Sequence, residues 1–194
     1  GATESLAYMK KIKCKNIYMY NNAKYKFVFG KVLNFVSFQY KGATFHLIGL
    51  TLGLYCSDSK NGWRKLLNGP DVTKISVDTE IKIIVVLGNK TLRYYLLDLM
   101  IGVYLEKREK LTGISLSNEP VAFFELGKHR KTTMLFYAKK KGNSAATNFK
   151  VMIPELDNDR IFSGFKMWKE FYVQADSFGI SIFNTSFAVL TTKG

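Results

Sequence analysis

The sequence is poor in the residues that do chemistry. Two cysteines and two histidines are spread through 194 residues. Cys14 and Cys56 lie far apart, outside any Cys-x-x-Cys spacing, which argues against a zinc site and against a disulfide-built secreted fold. Both are expected to be buried or half-buried thiols in a reducing compartment. His46 and His129 have no carboxylate or cysteine at helical spacing to complete a metal set or a proton relay. No Gly-x-Ser-x-Gly turn is present to expose a nucleophilic hydroxyl, and no Gly-x-x-x-x-Gly-Lys-Ser/Thr loop to cradle a phosphate. No catalytic residue, cofactor site or metal site is therefore expected.

Long hydrophobic runs are missing too. None approaches the ~20 residues of a membrane-spanning helix, and the start, "GATESLAYMKKIK", lacks the charged-then-apolar order of a signal peptide. A soluble, intracellular chain is the expectation. The opening Gly-Ala, with no initiator Met, reads as a cloning remnant ahead of a fragment.

Acidic residues are scarce: 15 Asp and Glu face 29 Lys and Arg, for a net charge of +14. The excess is uneven, with eight lysines against Glu4 alone in residues 1–50, and ten basic against four acidic residues in 101–150. Such a field suits an acidic protein face, an anionic lipid surface or nucleic acid. An RNA-reading sheet would also need exposed aromatics, for which Phe123, Phe124, Phe136 and Tyr137 are candidates. Adjacent aromatics on a strand point to opposite faces, so at least half of these belong to a core, and no RNP-type motif is present. Nucleic-acid binding is not expected.

What the chain has in abundance is aromatic and β-branched residues in short runs. Residues 1–26 show no clean periodicity and read as a basic linker or the tail of something upstream. From Phe27 on, "FVFGKVLNFVSFQY" and "TFHLIGLTLGLYCSD" flank a Lys41-Gly42 turn. "VTKISVD", "IKIIVVLGN" and "TLRYYLLDL" follow, with bends at Thr79-Glu80 and Gly88-Asn89-Lys90. Leu96, Leu97, Met100 and Ile101 approximate one face of a short helix. "VAFFELG" and "TTMLFYAKKK" then flank the turn "KHRK", and "NFKVMIPE" comes after a polar loop. Regular short strands broken by turns indicate an all-β sandwich, barrel or propeller. No Trp-Asp repeat selects among them.

Two basic clusters bracket "TTMLFYA": Lys128, His129, Arg130 and Lys131 before it, and Lys139, Lys140 and Lys141 after it. They are expected to lie toward one end of a strand pair and form a joint positive patch for a partner. His46, in an alternating strand, is expected to be half-buried and hydrogen-bonded.

Four segments in order resemble the citron homology domain, and most of all its version in fungal Rho guanine-nucleotide exchange factors. "KVLNFVSF" leading to "LIGLTLGLYCSD" and a Trp63-Arg64 loop is similar to the family's first blade. "VTKISVDTEIKIIVVLGNKTLRYYLLDL" resembles its Val-Thr-x-Ile strand and Lys-x-Leu-x-x-Tyr-x-Leu hairpin. "VAFFELGKHRKTTMLFYAKKK" resembles its Phe-Phe-x-x-Gly segment, and "FKMWKEFYVQADSFGISIFNTSFAVLTTKG" its Lys-Glu-Phe-Tyr-Ile-Pro segment, with Gln174 in place of the proline. The likeness covers Lys31 to Gly194. It implies a β-propeller of citron-homology type over 27–194, of which these are the early blades, with closing strands expected after Gly194. It also implies a non-catalytic interaction domain of a Rho-type exchange factor. Its partner would be a Rho-family GTPase or a cortical scaffold in cell-wall or cytoskeletal signalling, in the cytoplasm at the cell cortex or plasma membrane. The alternatives are a peripheral element on anionic lipid, carried by Lys10, Lys11, Lys13 and Lys15, or the same domain in a Ste20-like kinase or a vesicle tether.

Overall fold

A computed structural model describes residues 31–69, 71–106, 111–140, 146–183 and 186–191. Phe27, Cys14, the four N-terminal lysines and Lys141 lie outside them. Within the described residues the chain forms two compact units. The first comprises residues up to Asn89 together with Tyr94–Ile114, and the second Lys90–Arg93 and residues from Ser115 on.

Three meanders and a hairpin account for almost all of the fold. β1 (Val32–Tyr40), β2 (Ala43–Leu50), β3 (Gly53–Asp58) and β4 (Arg64–Asn68) make one four-stranded sheet in chain order. β5 (Val72–Asp78), β6 (Ile83–Gly88), β7 (Thr91–Leu96) and the short β8 (Ile114–Ser115) make a second, with the helix α1 (Leu97–Glu106) between β7 and β8. β9 (Phe123–His129), β10 (Thr132–Lys140), β11 (Thr147–Leu156) and β12 (Phe162–Val173) make a third. β13 (Ser177–Ile182) and β14 (Phe187–Thr191) pair as an antiparallel hairpin. Repeated four-stranded meanders in chain order are propeller blades. The all-β, propeller-type expectation holds.

Turn chemistry explains why the strands stop where they do. At Lys41-Gly42, Asn89-Lys90 and Arg130-Lys131 both central residues have positive φ, from 47° to 77°, the geometry of a type I′ hairpin whose twist matches its strands. Three other turns share an aspartate device. Asp58 Oδ1 accepts from the amides of Lys60 (2.8 Å) and Asn61 (2.6 Å), Asp78 Oδ1 from Glu80 and Ile81, and Asp157 Oδ1 from Asp159 and Ile161. Each carboxylate replaces backbone partners that the chain loses as it leaves a strand.

The first unit closes around one large apolar cluster. Leu47, Leu54 and Cys56 from β2 and β3 meet Ile75, Ile84 and Val86 from β5 and β6, sealed by Leu97, Met100 and Tyr104 of α1. The helix forms where a short one was expected and buries Leu97, Met100 and Ile101, but Leu96 remains in β7 and is exposed. β2 approaches β5 so closely that a Cβ on Gly49 would sit 2.5 Å from the Val72 carbonyl oxygen. Only glycine fits there.

In the second unit a smaller cluster, Met134, Phe136, Ala138, Phe149, Val151 and Ile180, lies between the third sheet and the β13–β14 hairpin. Phe171 stacks on Phe149 with ring centroids 5.0 Å apart, and Phe187 packs on Phe136 at 4.9 Å.

Candidate functional site

A few polar side chains of the first unit are buried, among them His46, Ser57, Asp58 and Asp78. Tyr104 is fully buried, and its hydroxyl accepts from the Asp58 amide at 2.9 Å while donating to the Gly62 carbonyl. Arg64 lies over the Tyr104 ring, 5.2 Å from its centroid, and donates to the Tyr104 carbonyl. Burial opposes ionisation of Asp58, but the amides of Asn61 and Lys60, the Asn61 side chain and Tyr104 outweigh it and hold the carboxyl below its usual range. Cys56 is buried, and burial first, then Asp58, push its thiol far up, so it is an inert core residue. His46 is fully buried, deeper than expected, with Nδ1 2.6 Å from Ser37 Oγ. At the β1–β2 turn Tyr40 donates to Asp98, which Lys41 also pairs at 2.9 Å. Burial and that bond push the Tyr40 phenol up to about 12. These contacts staple α1 to the strands.

The aromatics considered for base stacking are likewise spent on packing. Phe124, Phe136 and Tyr137 are buried, and Phe123 packs on the second unit's core. Among the described residues no three His, Cys, Asp or Glu side chains come together as a metal set, and no helix is long and apolar enough to cross a membrane.

The two basic clusters do not meet. β9 and β10 pair antiparallel from Thr132 opposite His129 to Ala138 opposite Phe123. Arg130 and Lys131 therefore form the tip at one end of β10, and Lys139 and Lys140 lie at the other. At ~3.3 Å per residue, eight steps along β10 separate the ends by roughly 26 Å. The joint patch expected from the sequence is corrected to two sites, because "TTMLFYAKK" is one continuous strand with a cluster at each end.

The two ends also differ in how their charge is spent. Lys139 pairs with Glu119 at 2.9 Å and Lys140 with Asp176 at 2.7 Å. At the tip, Lys128 Nζ donates to Thr133 Oγ1 at 2.7 Å, and His129 Nδ1 donates to the Phe183 carbonyl at 2.9 Å. A carbonyl can only accept, so the proton of a neutral His129 sits on Nδ1. Arg130 and Lys131 are exposed on a two-residue turn with positive φ at both positions.

A further surface was not singled out by the sequence. β12 is the outer strand of its sheet, and Lys166, Met167, Trp168 and Lys169 are all exposed on it. The signal was there: "KMWK" puts an apolar residue on each parity of a strand, which no one-sided core explains.

Comparison with known proteins places the architecture. A family model described as the CNH domain matches residues 43–194. Among solved structures, the AfRom2 CNH domain, from a fungal Rho exchange factor, superposes with a TM-score of 0.67 at 22% identity, covering 84% of this chain and 50% of that one. The chain thus spans about half the length of that neighbour. No curated protein sequence matches.

Proposed function

The chain belongs to the CNH domain family, whose members are protein-interaction domains, and from that premise we propose that it is a non-catalytic docking module of a Rho-type exchange factor. Its partner is a Rho-family GTPase or a cortical scaffold on the cytoplasmic side of the cell cortex, in cell-wall or cytoskeletal signalling. The observation that carries the reading is the family match over 43–194, and the likeness of fold to the CNH domain of a fungal Rho exchange factor supports it. The contact is assigned to the β9–β10 tip. There Lys128, Arg130 and Lys131 present positive charge on a turn held by a hairpin register and by the His129 bond to the Phe183 carbonyl. Preorganised charge of this kind raises association rates toward an acidic partner more than it slows dissociation. Lys139 and Lys140, already paired, contribute less.

The test is a titration of the protein against Rho-family GTPases in nucleotide-free, GDP and GTP states at two salt concentrations. Saturable binding to one GTPase, slowed in its on-rate by R130E/K131E and by added salt, is the expected result. Binding that is insensitive to both would remove the tip from the interface. No binding in any state would move the reading to a scaffold or to anionic lipid.

A further inference from the structure

A strand at the edge of a sheet exposes backbone N–H and C=O groups to any chain that can pair with them, and proteins usually blunt such edges with lysines and bulges. β12 runs from Phe162 to Val173, longer than any other strand described, and among the described residues it pairs with β11 alone. It carries both devices. Two register shifts leave Ser163 and Trp168 as extra residues opposite β11, and Lys166 and Lys169 flank the second bulge.

What blunting does not explain is the apolar load. Met167 is 55% exposed, Trp168 53% and Tyr172 57%, and the Lys169 ammonium lies 5.7 Å from the Trp168 ring centroid. Large exposed side chains beside open backbone groups are what a docking strand needs: pairing supplies affinity and alternate side chains supply selectivity. The sign of the charge selects the occupant. Glu170 is the one acid of β12, and Lys150 on the neighbouring strand already pairs with it, leaving the edge positive. A second copy would set lysines against lysines. An acidic strand would meet them.

We propose that the outer edge of β12, centred on Trp168, takes an extended acidic segment of a partner protein as an added strand. This surface is separate from the basic tip and stands whether or not a GTPase binds there. The probe is a synthetic peptide as long as β12 in which glutamate alternates with valine, titrated calorimetrically into the 194-residue protein. A lysine-for-glutamate peptide and a copy of the acidic peptide with alternate backbone amides methylated are its controls. The acidic peptide should bind about tenfold more tightly than the basic one at low salt, slow amide exchange along β12, and lose binding on methylation. In K166E/K169E the preference between acidic and basic peptides should invert, a gain that misfolding cannot imitate.

Equal binding of the methylated and parent peptides would overturn the strand-addition proposal in favour of charge attraction alone. So would protection that falls elsewhere, or no binding at all. Phosphatidylserine vesicles serve as a further arm. If they bind and K166E/K169E abolishes it while neither peptide binds, the edge is a lipid surface and the proposal fails.

Discussion

The two units of this chain use the same residue types to opposite ends. In the first, Tyr104, Arg64 and Asp58 join an aromatic ring, a cation and a carboxylate in a buried junction that ties α1 to the β3–β4 loop. In the second, Trp168, Lys169 and Lys166 set an aromatic and two cations on an open edge. The lesson is that cation and aromatic pairs identify neither a core nor a docking surface. What separates them is whether the ring is buried with its hydroxyl hydrogen-bonded internally, as for Tyr104, or faces solvent on the outer strand of a sheet, as for Trp168.

The sharpest test of that difference is to truncate one ring in each unit. Tyr104→Ala should cost about 3–5 kcal/mol, as for a large buried side chain, measured by chemical denaturation. Trp168→Ala should stay within about 0.5 kcal/mol. Comparable losses at both positions would erase the contrast between a structural and a docking aromatic. Gly49→Ala probes the first unit's close packing where no side chain is removed. A methyl 2.5 Å from the Val72 carbonyl oxygen forces β2 and β5 apart, for an expected loss of about 1–3 kcal/mol; a neutral effect would mean the two strands part freely.

The pH dependence of stability sharpens the comparison further. The folded state holds the Asp58 carboxyl below its ordinary value of 3.8, so around that value the unfolded chain binds more protons and stability rises with pH. The contribution is complete above about pH 5 and is lost as pH falls through the depressed folded value. Asp58→Asn should flatten the acid limb of a pH–stability curve below pH ~5, and an unchanged limb would assign acid sensitivity to other carboxylates. The smallest effect is expected at the paired end of β10. Lys139→Ala and Lys140→Ala remove surface ion pairs whose acidic partners are exposed and should each change stability by only ~0–1 kcal/mol. They should also change GTPase association less than R130E/K131E does. A larger effect on association than at the tip would reverse the order of the two basic sites.

Much of the fold was legible because its signals are local. The Lys41-Gly42 turn, the bend at Asn89-Lys90 and the turn within "KHRK" are short-range choices of backbone conformation, and each falls where the composition puts it. The strands between them follow from β-branched and aromatic content, and four segments in family order were enough to indicate the architecture that the CNH match covers. The candidate site was less legible. Placing the clusters that bracket "TTMLFYA" toward one end of a strand pair would have brought Lys131 and Lys139 together, whereas one extended strand holds them apart. Charge along a sequence carries no distance until the secondary structure between the charges is known.

By itself, then, the sequence determined an all-β chain with hairpin turns at defined positions, a basic surface and a family resemblance, because turn chemistry, side-chain period and net charge are properties of neighbouring residues. Only the tertiary structure decided that Lys139 and Lys140 find Glu119 and Asp176, that Tyr104 is sealed around Asp58, and that β12 is left at an edge with Trp168 on a bulge. Those outcomes depend on which strands come to lie side by side and in what register, and that is set by packing between residues remote in the chain.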